Sequence, residues 1–301
     1  MIKIGGYQGD GSILTKSLTD FAARLAVLWP DNPLQLRPDI TASGDTARAL
    51  FDGVESGSWN ICYMASGYLS ARVPALRFVD LPMLVEDRAQ ALAALDGLAG
   101  QIVTSAIEAA SGLKVLGFWD NGVRHITNGV RPIRSPDDCV GLTIRTLDSP
   151  IYRTTLASFG FTPMFADVRD FAAKAASGEI DAQENPLTNV VNFGIHRHHR
   201  HVSLTGHVFG VALLAANRAW FDGLSSRERE VVMESAAEST RLQRRLAAGE
   251  DALALDAMVA VGCAIIHPGN LDMAAFQAAA RPVREKVILE VPAALIEAWP
   301  G

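Results

Sequence analysis

Two arginines and an asparagine carry the most specific chemistry in this 301-residue chain. Arg145 closes the run Gly141-Leu142-Thr143-Ile144-Arg145-Thr146, an apolar alternation that reads as a β-strand ending in a guanidinium. A guanidinium is always charged, and its rigid fork of N–H donors fits a carboxylate bidentately. Taken alone, a strand-end arginine is equally at home in a surface ion pair. Arg124 lies in Asn121-Gly122-Val123-Arg124-His125-Ile126-Thr127-Asn128, and Asn185 precedes Pro186 in Asp181-Ala182-Gln183-Glu184-Asn185-Pro186. A buried arginine is costly unless an anion answers it, so two of them together call for a negative ligand or acidic neighbours. Asn185 is held extended or in a turn by the following proline, and its amide can both donate and accept.

Other chemistries find less support. His196-Arg197-His198-His199-Arg200-His201 could bind zinc or nickel, and would then suggest a metal-dependent enzyme. Two arginines inside the cluster repel a cation and no HExxH-type spacing is present, so solvated histidines on a loop or helix end are expected, with no metal site. No GxSxG elbow occurs and no cysteine has a credible partner histidine, which argues against nucleophilic catalysis. Cys62, Cys139 and Cys263 are widely spaced, odd in number and read as small core residues. The turn Gly5-Gly6-Tyr7-Gln8-Gly9-Asp10-Gly11-Ser12 follows a strand and precedes a helix, but lacks both the G-x-G-x-x-G spacing and a P-loop lysine. Its expected role is close backbone approach to a ligand at a helix N-terminus. No cofactor is implied.

The elements that must position these residues alternate along the chain. Ile2–Gly5, Leu34–Arg37, Ile61–Met64 and Leu113–Trp119 read as strands. Ser12–Trp29, Thr46–Glu55 and Asp87–Ala110 read as helices. The pattern restarts near residue 123, with strands at His125–Asn128, Leu142–Thr146, Val202–Thr205 and Val211–Ala215 and helices at Pro150–Phe159 and Val168–Ser177. Strands separated by helical periodicity predict an α/β fold with a largely parallel sheet. Ser225–Val261 contains no proline and one glycine, Gly249. As one helix it would be about 55 Å long, beyond the roughly 30 Å of a small domain, and would cross between lobes. The alternative is two helices broken near Gly249. Ala264–His267 reads as a last strand, followed by helices around Met273–Lys286 and Ala293–Trp299.

The length suits two domains. A net charge of −6 argues against generic nucleic-acid or anionic-membrane binding. No apolar run reaches the roughly 18 residues of a membrane span. Met1-Ile2-Lys3-Ile4-Gly5 reads as a strand, not as a secretory leader, which leaves a processed periplasmic chain and a cytoplasmic one both open.

Several segments together resemble the DctP-type solute-binding proteins of tripartite ATP-independent periplasmic (TRAP) transporters. Leu81-Pro82-Met83-Leu84-Val85 looks like that family's DLPFLF-type segment. The stretches 122–128, 131–145 and 178–186 look like its GxRxxTN, RPIxSPDDLxGLKIR and GxVDGQENP elements. Leu204-Thr205-Gly206-His207 and Asn217-Arg218-Ala219-Trp220 follow in the expected order. Ala182 and Cys139 depart from the family's usual glycine and leucine. The resemblance implies a two-lobed periplasmic-binding-protein-like α/β fold with a long helix spanning both lobes. Residues 1–122 with 207–245 would form lobe I, 123–206 with 246–301 lobe II, and the ligand cleft would lie between them. It implies Arg145 as carboxylate anchor, Arg124 as a second anionic or polar contact and Asn185 as a further contact. It also implies a periplasmic location and TRAP permease subunits as partners.

The expected function is therefore capture of an organic acid by a monomeric, non-enzymatic binding protein that closes by hinge bending. A sensory binding protein for an organic acid would share the same fold and pocket. Charged hydrogen bonds contribute about 1.5–3 kcal/mol each, against about 8 kcal/mol for a micromolar complex, so pocket burial must supply the rest. Phe118, Trp119 and Phe165 flank the predicted anchors, while Tyr7, Ser66 and Tyr68 follow first-lobe strands. An aromatic lining of that kind would favour a monocarboxylate with an apolar or aromatic tail over a polar dicarboxylate.

Overall fold

The structure, a computed structural model, describes residues 1–300. In chain order the elements are β1 (Ile2–Gly5), α1 (Ile13–Leu28), β2 (Leu34–Arg37), α2 (Ala47–Ser56), β3 (Ile61–Ala65), α3 (Pro74–Val79), α4 (Arg88–Asp96), α5 (Leu98–Ala110) and β4 (Leu113–Asn128). They continue with β5 (Thr143–Thr146), α6 (Pro150–Ser158), β6 (Thr162–Phe165), α7 (Val168–Ser177), β7 (Ala182–Pro186), α8 (Leu187–Asn192) and β8 (His201–Asn217). The last are α9 (Arg218–Asp222), α10 (Ser226–Ala260), β9 (Ala264–Ile266), α11 (Met273–Ile288) and α12 (Ala293–Glu297). Two compact units result. One comprises Met1–Ala65, Thr104–Asn121 and Val211–Gly249; the other comprises Ser66–Val103, Gly122–Gly210 and the chain from Glu250 onward.

In the first unit β1 lies parallel between β2 and β3, and β3 pairs antiparallel with the end of β8, Ile61 opposite Ala216 and Ala65 opposite Ala212. α1 starts where the Ser12 side chain accepts from the Leu14 N–H, and it buries Leu14, Leu18, Phe21 and Leu25 at helical spacing. Two of the glycines ahead of it are needed for packing, while a Cβ at Gly9 would meet nothing within 4 Å. A Cβ on Gly6 would stand 2.3 Å from the Pro38 carbonyl oxygen, and one on Gly5 2.5 Å from Leu50.

In the second unit β4 pairs antiparallel with β7, and β5 lies parallel to both β7 and β6. A capping box in Ser135–Asp138 and a left-handed Gly141 (φ 82°) aim the chain into β5. β5 sits over a core of Ile126, Leu142, Ile144, Leu156, Phe159 and Phe276. A second core gathers Phe171, Ile180, Leu187, Val190, Ile195, Val202 and Met258.

The structure differs from the expected elements mainly in continuity. Leu113–Trp119 and His125–Asn128 are parts of one strand, because the chain runs on through Asp120-Asn121-Gly122 with Gly122 at φ 90°. Val202–Thr205 and Val211–Ala215 likewise merge into the 17-residue β8. Asp87–Ala110 is instead two helices, parted at Gly97. α10 is unbroken over 35 residues, about 52 Å at 1.5 Å per residue. A Cβ at Gly249 would meet nothing within 4 Å, so that glycine costs only its helix propensity, about 1 kcal/mol.

Candidate ligand-binding site

The second unit brings the two arginines into very different surroundings. Arg145 stands on β5, opposite Met164 of β6 and Gln183 of β7. The C-terminal ends of parallel strands are where open α/β sheets collect ligands. Its side chain is 98% buried, its Nε donates to the Ala166 carbonyl at 2.8 Å, and its guanidinium lies over the Phe171 ring at 4.4 Å. Its Nη2 is buried with no hydrogen-bond partner. None of the ion pairs among the described residues uses Arg145. Burial pulls its pKa below the ordinary value; Tyr68, Glu184 and Asp167 partly counter this, and Arg124 adds to it. Arginine keeps its proton regardless, so a buried cation here faces inward with an idle donor.

Arg124 is already answered. On β4 it donates from Nε to one Glu184 carboxylate oxygen and from Nη2 to the other at 2.8 Å. Nη2 also reaches the Glu184 carbonyl at 2.8 Å and Asn185 Oδ1 at 3.2 Å, and the guanidinium stacks on Tyr152 at 4.9 Å. The antiparallel register, Arg124 opposite Pro186 and Ile126 opposite Glu184, sets up this fork-to-fork pair. Burial alone would raise the Glu184 carboxyl, but the charge and hydrogen bonds of Arg124, with His207 Nε2 3.6 Å away, outweigh it and hold it at about 2. Thr146 Oγ1 adds a hydrogen bond to Glu184 at 3.1 Å.

Asn185 lies on β7, extended, with Nδ2 donating to Gln183 Oε1 at 2.7 Å. Tyr68, half-buried in the turn after β3, is close enough to Arg145 to hydrogen-bond with it. Burial pushes its phenol up to about 12 against the pull of that arginine, so it stays a neutral hydroxyl. Ser66 gives its hydroxyl to Asp80 Oδ1 at 2.6 Å, and Tyr152 OH stands 3.4 Å from the same oxygen. Burial raises Asp80 to about 7, and its Oδ2 has no partner.

Arg145, Arg124, Asn185, Ser66 and Tyr68 thus belong to one polar group in the second unit. Tyr7 and Trp119 belong to the first. Tyr7 packs edge-on against Phe51 and accepts from the Ala65 N–H at 3.3 Å. Trp119 is fully buried, with its indole N–H given to Thr240 at 3.1 Å. Phe165 is 49% exposed at the end of β6, and Phe118 is buried. Sequence reasoning passed over Glu184, Asp80, Tyr152 and Phe171. The demand of a buried arginine for an acidic neighbour pointed toward Glu184; nothing in the spacing marked the others. The histidine segment departs from expectation, since His196 and His199 are buried where Ile195 tucks its turn into the core. No group of three or more His, Cys, Asp or Glu side chains among the described residues is arranged to hold a metal ion.

Residues 6–290 match the family model described as DctP, bacterial extracellular solute-binding protein, family 7. The chain belongs to this family. It is 33% identical over 260 residues to the 2,3-diketo-L-gulonate-binding periplasmic protein YiaO of Escherichia coli K12, covering 86% of this chain and 78% of that one. It is 27% identical over 220 residues to the C4-dicarboxylate-binding periplasmic protein DctP of Rhodobacter capsulatus, covering 73% and 66%. A TRAP periplasmic solute-binding protein of Roseobacter denitrificans with bound β-D-glucuronate superposes with a TM-score of 0.91 at 26% identity, covering 99% of this chain and 98% of that one. One from Polaromonas sp. JS666 bound to D-erythronate gives 0.91 at 26%, covering 99% and 97%. These matches agree with the mixed α/β architecture, and with a solute-binding protein of the TRAP type.

Proposed function

We propose that this chain binds the anion of a hydroxylated monocarboxylic acid for TRAP-type transport, with Arg145 as the carboxylate anchor. The observation that carries the reading is the buried Arg145 guanidinium with an unpartnered Nη2 and no carboxylate in ion-pair distance. A single carboxylate answers one uncompensated cation. Arg124 brings no second one, since Glu184 cancels it, so its proposed role narrows to support and hydrogen bonding. Tyr68 and Asn185 are proposed to meet the ligand's hydroxyls. The hydroxyl and amide groups around Arg145 favour a sugar-acid-like tail over the aromatic one expected from sequence. The names of the relatives support the same class: diketogulonate, glucuronate and erythronate each carry a carboxylate and hydroxyls.

Periplasmic action, partnership with TRAP membrane subunits, a monomeric state and the absence of catalysis are part of this proposal, supported by the family's character. So is hinge bending where β4, β8 and α10 pass from one unit to the other. The test is a thermal-shift screen with D-glucuronate, D-galacturonate, D-erythronate, pantoate and succinate. A ligand at one hundred times its Kd stabilises by about 2.7 kcal/mol. A monocarboxylate is expected to stabilise the wild type and to lose that effect in Arg145→Ala. Undiminished binding by a folded Arg145→Ala sinks the assignment.

A further inference from the structure

One member of the histidine segment is joined to the candidate site by a hydrogen-bond chain whose direction Arg124 fixes as far as Thr127. Arg124 can only donate. Its Nη2 lies 3.2 Å from Asn185 Oδ1, so the amide oxygen of Asn185 faces it and the amide nitrogen faces away. That nitrogen donates to Gln183 Oε1 at 2.7 Å, which turns the Gln183 nitrogen toward Thr127 Oγ1 at 2.6 Å. Thr127 and Gln183 are direct cross-strand partners on β4 and β7, and Asn185 lies two residues on, on the same face. A hydroxyl that accepts still has its own proton to give. His199 Nδ1 stands 3.2 Å from Thr127 Oγ1, within reach of that proton, and the chain runs on in the same direction when the ring proton sits on Nε2. The backbone of Ile180 and of Thr127 also favours a proton on this ring. Burial nevertheless holds His199 at about 4, so the imidazole is neutral near neutral pH. Arg124, Asn185, Gln183, Thr127 and His199 are all buried.

We propose that Gln183, Thr127 and His199 are positioning residues for ligand capture, a one-way chain that starts at Arg124 and locks the Asn185 amide in a single orientation. The inference rests on the reading of Asn185 as a ligand contact. With Oδ1 engaged by Arg124 and one Nδ2 proton engaged by Gln183, Asn185 offers the ligand a fixed donor and a fixed lone pair. Such preorganisation removes an ordering cost from binding. It also gives the buried His199 a function that needs neither metal nor charge.

The direct test is nitrogen-15 NMR of the His199 ring and the Asn185 side-chain amide, without ligand. The wild type is expected to show the Nε2–H tautomer and a slowly exchanging, non-rotating Asn185 amide. Thr127→Val keeps the shape and removes the hydroxyl; it is expected to mix the tautomers and free the Asn185 amide, and Thr127→Ser to restore both. Affinity for the screened acid that binds the wild type most tightly is expected to fall roughly three- to tenfold in Thr127→Val and to recover in Thr127→Ser. An Nδ1–H tautomer in the wild type, or an Asn185 amide or affinity indifferent to Thr127→Val, overturns the proposal. If no acid binds the wild type, the ligand reading fails, while the NMR arm still decides whether the chain holds Asn185.

Discussion

Glu184→Gln keeps the shape of a buried side chain and deletes the charge that answers Arg124. Removing one partner of a buried ion pair costs about 3–5 kcal/mol, because the other charge is left uncompensated. The depressed Glu184 carboxyl points in the same direction. A carboxyl held at about 2 instead of its ordinary 4.5 reflects about 3 kcal/mol of preference for the charged form in the folded chain. The sign follows from linkage: a depressed carboxyl contributes in full above its unfolded value of 4.5, and that contribution is lost as the pH falls through about 2. Urea unfolding at neutral pH should therefore place Glu184→Gln about 3 kcal/mol below the wild type. The gap should close in acid, as the wild type loses what the variant never had. A variant within about 1 kcal/mol of the wild type at neutral pH, or a gap that persists unchanged into acid, would refute the pairing as the source of stability.

The same variant leaves two uncompensated arginines, so its preference should shift from monocarboxylates toward succinate, measured as a ratio of Kd values by calorimetry. Arg145→Met should raise the unfolding free energy of the ligand-free protein by about 1–2 kcal/mol while abolishing acid-induced stabilisation, since it trades a buried unpaired cation for an apolar chain of similar length. Asp80 is held up by burial at about 7 against an ordinary 3.8, so its contribution to stability is present below 3.8 and lost as the pH rises through 7. Asp80→Asn should flatten that fall and melt above the wild type in mildly alkaline buffer. Gly6→Ala, whose Cβ would stand 2.3 Å from the Pro38 carbonyl oxygen, should destabilise by about 1–3 kcal/mol in a denaturant melt.

Local chemistry made much of the fold legible. The Ser12 cap with its stripe of Leu14, Leu18, Phe21 and Leu25, and the proline-free stretch that became α10, were plain in the sequence because their signals are short-range. β4 and β8 were each read as two strands for an equally physical reason. Asp120-Asn121-Gly122 has the residues of a turn, but the Gln243 side chain on α10 accepts from the Asp120 N–H at 2.8 Å and donates to its carbonyl at 2.6 Å, a partner 123 residues away. β7 was passed over because Gln183, Glu184 and Asn185 are poor strand formers. What holds them in a strand is the antiparallel partner that supplies Arg124. The partner of Trp119 was equally out of reach of local reading, since its indole N–H is taken by Thr240, 121 residues away.

The contrast between the two arginines marks the limit of what motifs convey. Both stand on β-strands, and both match the family's pattern. Their difference lies in the cross-strand register, which puts a carboxylate within hydrogen-bonding distance of Arg124 and a carbonyl and a phenyl ring beside Arg145. A protein selected for stability alone would be expected to neutralise both, as it neutralises one. Leaving Arg145 buried with an idle Nη2 costs the ligand-free chain free energy that an incoming carboxylate returns. The cost and the affinity thus share one source. Stability without ligand and binding with ligand should move in opposite directions across a series of Arg145 substitutions, a correlation that a merely structural arginine would reverse.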